Sequence, residues 1–243
     1  MLIVGMKRPD SALLSKSAIF FRAAWFFGAL VVLAGARMAN AGTSVYPRMA
    51  PVAQYMIANR AQEIAFARTA APPSVSAHAR VLVLGAHGYE TAVAGDSGYV
   101  CLVERSWDKG FGAPEFWNPR IRSPECFNPP GARSVLPLYL ERTKWVLAGE
   151  SPAQMRARAR AEAATLPAPL TGSFCYMMSQ EGYTDDRAAG PWYPHLMFFQ
   201  RTTPAGEWGG NLPDTPIVAD STSYQGLTYF LVLVPWRTPV ISG

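Results

Sequence analysis

The stretch from residue 105 to residue 130 constrains this chain more than any other. It holds Pro114, Pro119, Pro124, Pro129 and Pro130, with Gly110 and Gly112. Proline fixes φ and removes a main-chain donor, and glycine adds freedom to the unfolded chain, so no regular helix runs through such a stretch. Irregular segments beyond about 12–15 residues are uncommon in compact domains unless they are functional or packed down. The stretch is therefore expected to be irregular chain that needs an anchor. Cys101 and Cys126 flank most of it, and a bond between them would restrict the unfolded chain by about 3.5 kcal/mol in the loop-entropy account. Three cysteines allow three pairings, of which Cys101–Cys126 is the one expected. Cys175, in the apolar run Phe174-Cys175-Tyr176-Met177-Met178, is then left as a buried thiol.

A disulfide needs an oxidising compartment, and the N-terminus points to one. Lys7, Arg8, Lys16 and Arg22 precede an apolar run from Ala23 to Ala34, followed by Ala39-Asn40-Ala41. A basic region, a short apolar core and a small-x-small exit form a secretory signal. Residues 1–41 are expected to be that signal, residues 42–243 a single domain, and the destination periplasmic or extracellular. An uncleaved anchor is the alternative, although the apolar run falls short of the roughly 20 residues of a membrane span. The formal charge of +5 (22 Lys+Arg, 17 Asp+Glu) drops to about +1 without this segment. The basic balance therefore supports no nucleic-acid partner. The partners expected are a small molecule or an envelope component, with no stable membrane span after cleavage.

Helical spacing of Ala53, Ile57, Ala61 and Ile64 behind Pro51 predicts a helix reaching Arg68. Residues 80–84, 89–93 and 99–103 read as three short strands, with Gly95-Asp96-Ser97-Gly98 as a hairpin turn, which implies a meander. Leu136, Tyr139, Leu140, Thr143, Val146 and Leu147 form one helical stripe, with Ser134 as its cap and Gly149 as its stop. Ser151-Pro152-Ala153-Gln154 opens a second helix with a capping box. Its Arg156, Arg158 and Arg160 read as a solvated basic face, with contact to an anion or a lipid head group as the alternative. Residues 173–179, 195–201 and 227–234 read as strands, the last buried on both faces, and 209–214 as loop. The whole is expected to be α+β: one domain, mainly an antiparallel sheet, with an N-terminal helix and a central helical hairpin.

Strong catalytic motifs are missing from this sequence. It has no G-x-S-x-G, no Walker loop, no H-E-x-x-H and no C-x-x-C. His78, His87 and His195 are too scattered for metal-ligand spacing, so neither a metal nor a cofactor is expected. Two histidine groupings have acid–base potential. One is His87 with Tyr89, Glu90 and Glu104, gathered by the meander. The other is Trp192-Tyr193-Pro194-His195, which would bring His195 near Tyr176 or Ser179 if strands 173–179 and 195–201 pair. A turn histidine and a core histidine explain the same letters. Trp107, Phe111, Phe116, Trp117 and Phe127 in the Pro-rich segment could form an aromatic lid over a ligand, or bury themselves to hold the segment down; Trp107, Phe116 and Trp117 are the ligand-binding candidates.

The runs Val81-Leu82-Val83-Leu84-Gly85, Gly88-Tyr89-Glu90-Thr91-Ala92-Val93 and Val100 to Trp107 resemble an uncharacterised family of exported bacterial proteins of unknown function. Glu115-Phe116-Trp117-Asn118-Pro119 and Pro194 to Phe199 extend the resemblance over most of the chain after residue 41. It implies export and a single domain, and carries no chemistry. The leading expectation is a non-catalytic protein that binds a small molecule or envelope partner through Trp107, Phe116 and Trp117. The alternatives are a cofactor-independent hydrolase using His195 or His87 with Glu90, and a scaffold without a pocket.

Overall fold

A computed structural model describes residues 45–186, 193–220 and 226–234. The expected signal segment and Trp192 lie outside the described residues. The first regular element is not the long helix predicted from Pro51. A single 3-10 turn, Val52–Gln54, ends there, and α1 (Arg60–Arg68) starts afresh behind Asn59. The break has two causes. The Tyr55 carbonyl accepts from Arg105 Nε at 2.6 Å, and the Asn59 side chain caps the main-chain N–H groups of Ala61 and Gln62. A one-turn helix, α2 (Pro73–Ser76), follows.

Strands β1 (Arg80–Gly85) and β2 (Gly88–Val93) form a hairpin across Ala86-His87, with Gly88 at a φ of 118°. Strand β3 (Val100–Glu104) does not continue a meander, which corrects that expectation. It returns to the other edge of β1 and runs parallel to it. The turn residues expected to close a hairpin instead cross the start of β1. Asp96 and Ser97 donate main-chain N–H to the His78 carbonyl, and a Cβ on Gly95 would stand 2.1 Å from Arg80 N. Only glycine allows that approach.

Part of the Pro-rich segment is also not irregular. Strand β4 (Ser123–Phe127) lies inside it and pairs with β3. Pro124 is tolerated because β5 (Phe174–Met177) pairs with β4 only at Cys126 and Phe127. Beyond Met177 the chain turns off, and Met178 N donates to the Ala70 carbonyl. The edge beside Pro124 therefore asks for no donor.

Asn128 caps α3 (Pro129–Ser134), and α4 (Leu136–Leu147) follows directly, so Ser134 ends one helix instead of capping the next. The capping box predicted at Ser151 and Gln154 opens α5 (Pro152–Ala163). The remaining strands are β6 (His195–Arg201), β7 (Ile217–Asp220) and β8 (Leu227–Leu233). β8 opens toward solvent at Leu233, against the expectation of burial on both faces.

The described strands form one sheet in the order β2-β1-β3-β4-β5-β6-β8-β7, antiparallel throughout except for β1–β3. The architecture is α+β, as expected. Side chains alternate across the sheet. One face carries Val81, Cys101, Val103 and Cys126 against α1. The other carries Leu82, Leu102, Phe127, Cys175, Met197 and Phe199, covered by Val135, Leu136 and Tyr139 at the start of α4. Cys101 and Cys126 sit directly opposite each other on β3 and β4 and are disulfide-bonded, while Cys175 is a buried free thiol.

Candidate functional site

Beyond Leu102 and Phe127, the face under α4 stops being apolar. Its next outward position on β3 is Glu104, and the residue two before Phe127 on β4 is Glu125. Glu125 is fully buried, and its carboxyl lies against the Glu104 carboxyl and the Cys175 thiol. Among the described residues, neither oxygen of Glu125 accepts a main-chain or cationic hydrogen bond. Burial raises the Glu125 carboxyl well above the usual range, and the charges of Glu104 and Asp108 add to this. Burial likewise raises Glu104, with Asp108 adding; the bond to Glu125, Lys109 and Arg142 pull the other way. Two facing carboxyls, Glu125 buried and Glu104 half-buried at the cavity, do not both ionise cheaply, which favours a proton held between them. Burial also pushes the Cys175 thiol up, with Glu125 and Glu104 adding.

The same sheet face continues through β6, β8 and β7. His195 and Met197 come from β6, Tyr229 and Leu231 from β8, and Asp220 from the edge strand β7. The Tyr229 hydroxyl donates to Asp220 Oδ2 at 2.6 Å. His195 is buried, with Nδ1 2.8 Å from the Tyr193 carbonyl. That carbonyl can only accept, so Nδ1 carries the proton and Nε2 is the basic nitrogen. Burial lowers the His195 pKa, against a smaller upward pull from the Tyr193 carbonyl.

Glu104, Asp108, His195, Asp220 and Tyr229 all line one cavity of about 820 Å³. Phe111, Tyr139, Arg156 and Arg160 also form part of its walls. The volume is in the range of small-molecule sites, about 300–1,000 Å³. The wall at residues 105–113 is held firmly. Trp107 Nε1 donates to Thr143 Oγ1 at 3.0 Å, and Arg142 Nη1 donates to the carbonyls of Trp107 and Lys109. Below it, Arg105 Nη2 donates to Glu63 Oε1 at 2.7 Å in an ion pair with both side chains at most 2% exposed. That pair ties α1 to the end of β3 that presents Glu104. Among the described residues, no group of three or more His, Cys, Asp or Glu side chains could hold a metal ion.

The structure separates several residues that the sequence grouped. His195 lines the cavity, but its neighbour on β5 is Met177; Tyr176 packs on the opposite face, and Ser179 accepts from Thr69 Oγ1. His87 and Glu90 are exposed on the β1–β2 hairpin, where Glu90 is ion-paired with Arg60 of α1. Neither lines the cavity, and Glu104 is on the other face. Trp107, Phe116 and Trp117 are buried in a core cluster with Tyr55, Trp145 and Met155. Of the aromatic residues in that segment, Phe111 is the one that reaches the cavity.

Sequence reasoning missed Glu125, the Asp220–Tyr229 pair and the grouping of Glu104 with His195. Among the described residues no helix is long and apolar enough to cross a membrane. No protein-family model, curated protein or solved structure matches the chain.

Proposed function

We propose that the domain after residue 41 is an exported, cofactor-independent acid–base enzyme, a hydrolase in the simplest case, acting on a small molecule held in the cavity. One observation carries this reading. A single cavity joins Glu104, whose carboxyl lies against the buried Glu125, to a histidine whose tautomer is set by a main-chain carbonyl. Their environments push the two groups in opposite directions, Glu104 up and His195 down. Those directions favour a protonated carboxyl and a neutral imidazole, the complementary acid and base of a proton-transfer site. Glu104 would donate its proton to the departing or polarised oxygen of the substrate. His195 Nε2 would take a proton from the attacking water. Glu125 would act through Glu104, keeping its proton in place. The Cys101–Cys126 disulfide supports export, because such bonds persist in oxidising compartments.

The test is turnover of chromogenic esters, phosphoesters and glycosides by the protein without residues 1–41. Glu104→Gln and His195→Gln are each expected to lower kcat/KM by about 100-fold or more, the usual weight of a positioned acid or base. Both replacements keep a polar side chain of similar length, and circular dichroism should show both variants folded, although melting shifts with pH as the carboxyl pair is changed. Full turnover in both variants would overturn the reading. A ligand bound in the cavity and never turned over would favour the non-catalytic binding protein instead.

A further inference from the structure

The three arginines of α5 are all at least partly exposed, but they do not share one side of the helix. Residues four apart share a side of a helix, whereas the residue midway between them does not. Arg158 is engaged on its own side. Its Nη2 donates to Glu150 Oε1 at 2.5 Å, and its guanidinium lies 5.3 Å from the centre of the Trp145 ring. Arg156 and Arg160 both line the cavity. The Arg156 guanidinium reaches the loop opposite, where a Cβ on Gly112 would stand 3.5 Å from its Nη2. Among the described residues, neither Arg156 nor Arg160 forms an ion pair, and neither does Lys109, the third cation of the wall.

Among the described residues, none of the acids of the cavity is ion-paired to these cations. Asp220 accepts from the Tyr229 hydroxyl, Asp108 accepts from Arg105 N at 3.3 Å, and Glu104 faces Glu125. The fourth cation of the lining, Arg105, is bound to Glu63. The cavity is thus divided: proton-transfer groups on the sheet floor, and uncommitted cations on the α5 side.

We propose that Arg156 and Arg160, helped by Lys109, form a subsite for an oxyanion head group, phosphate or carboxylate, on the small molecule that this cavity takes. Guanidinium groups offer paired N–H donors in a fixed plane, which suits oxyanions better than a point charge does. Two of them on one helix face, about 6 Å apart at their Cβ atoms, can close on a single anion. The cavity is far larger than an anion, and the rest of the ligand has room to extend toward Glu104 and His195. This last step rests on the acid–base reading; the anion subsite itself does not.

Isothermal titration with inorganic phosphate, and separately with acetate, tests the subsite in the wild type, Arg156→Gln/Arg160→Gln, Arg158→Gln and Glu104→Gln. One saturable anion site is expected in the wild type. The double variant should bind at least about tenfold more weakly, the equivalent of one charge-assisted hydrogen bond. Arg158→Gln should bind like the wild type. Tighter phosphate than acetate identifies a phosphate-type ligand, and the reverse a carboxylate-type one. Three results would each overturn the proposal: no saturable binding of either anion, wild-type binding by the double variant, or equal weakening by Arg158→Gln. Glu104→Gln separates the two readings. Retained anion binding with unchanged turnover in that variant removes the acid–base reading and leaves the subsite standing.

Discussion

Replacing Glu125 by glutamine tests whether the Glu104–Glu125 carboxyl pair retains a proton. Burial raises both carboxyls above their ordinary value of 4.5, and nearby carboxylates raise them further. A group with a higher pKa in the folded than in the unfolded chain binds more protons when folded. The folded state therefore loses stability as pH climbs from the unfolded value toward the folded one, and the loss is complete above it. Each retained proton changes the unfolding free energy by about 1.4 kcal/mol per pH unit across that window. At about pH 4 the carboxyls are largely protonated in both states, and the near-isosteric Glu125→Gln forfeits at most one hydrogen bond, about 1 kcal/mol. As pH rises, Glu104 in the variant faces a neutral amide, so one retained proton and the mutual repulsion are gone. His195 acts in the opposite sense. Its pKa is lowered by burial, so it favours the folded state above the unfolded histidine value of 6.5 and costs stability below. That contribution is common to both proteins and cancels in their difference. Urea denaturation of both, from about pH 4 to about pH 8 with the disulfide intact, measures that difference. It should swing toward the variant by about 1.4 kcal/mol per pH unit while the pair titrates, turning a small cost into a gain. A difference independent of pH would refute the shared-proton argument.

Glu63→Gln leaves Arg105 buried without its charge partner, and should lower the unfolding free energy by about 3–5 kcal/mol in urea titration. A loss below about 1 kcal/mol would mean that the Tyr55 and Val103 carbonyls alone satisfy that guanidinium. Gly95→Ala places a methyl group against the main chain of Ala79 and Arg80 and should prevent stable folding, read by circular dichroism and yield of soluble protein. Gly206→Ala, with nothing within 4 Å of the added carbon, should stay within about 0.5 kcal/mol of wild type.

The elements legible in the sequence were those whose signals are local. The capping box at Ser151 and Gln154, the stripe from Leu136 to Leu147 and the apolar runs of β1, β3 and β6 each declare themselves within a few residues. The errors arose where a distant contact overrode a local preference. Pro51 opens a helical pattern, but the Tyr55 carbonyl is taken by Arg105, 50 residues away, and the helix restarts at Asn59. Gly95 to Gly98 has the composition of a hairpin turn, yet its glycine serves a crossing over β1. Trp107, Phe116 and Trp117 looked equally suited to a lid or to a core. The hydrogen bond from Trp107 to Thr143 and the packing of Phe116 on Trp117 favour the core.

The carboxyl pair was hidden for a more specific reason, and that reason shows how it could be found. Pro124 made residues 123–127 read as irregular, so β4 had no place in the expected sheet and Glu125 had no face to point from. The cysteine pairing already contained the correction. If Cys101 and Cys126 lie directly opposite each other on antiparallel strands, every other pair across those strands follows by counting outward. Val103 then falls opposite Pro124, and Glu104 opposite Ser123, which is the register found. That register makes Glu104 and Glu125 diagonal neighbours on one face, with Cα atoms about 7–8 Å apart, a gap that long side chains can bridge. It also puts both glutamates on the face opposite the disulfide, because each lies an odd number of residues from its cysteine. A disulfide expected for its effect on stability thus doubles as a register marker. Read that way, it predicts two carboxyls converging under a sheet face that is otherwise apolar from Leu102 to Phe127. Such a placement costs free energy unless a proton is shared, and its Glu104 end opens on the cavity where we propose proton transfer.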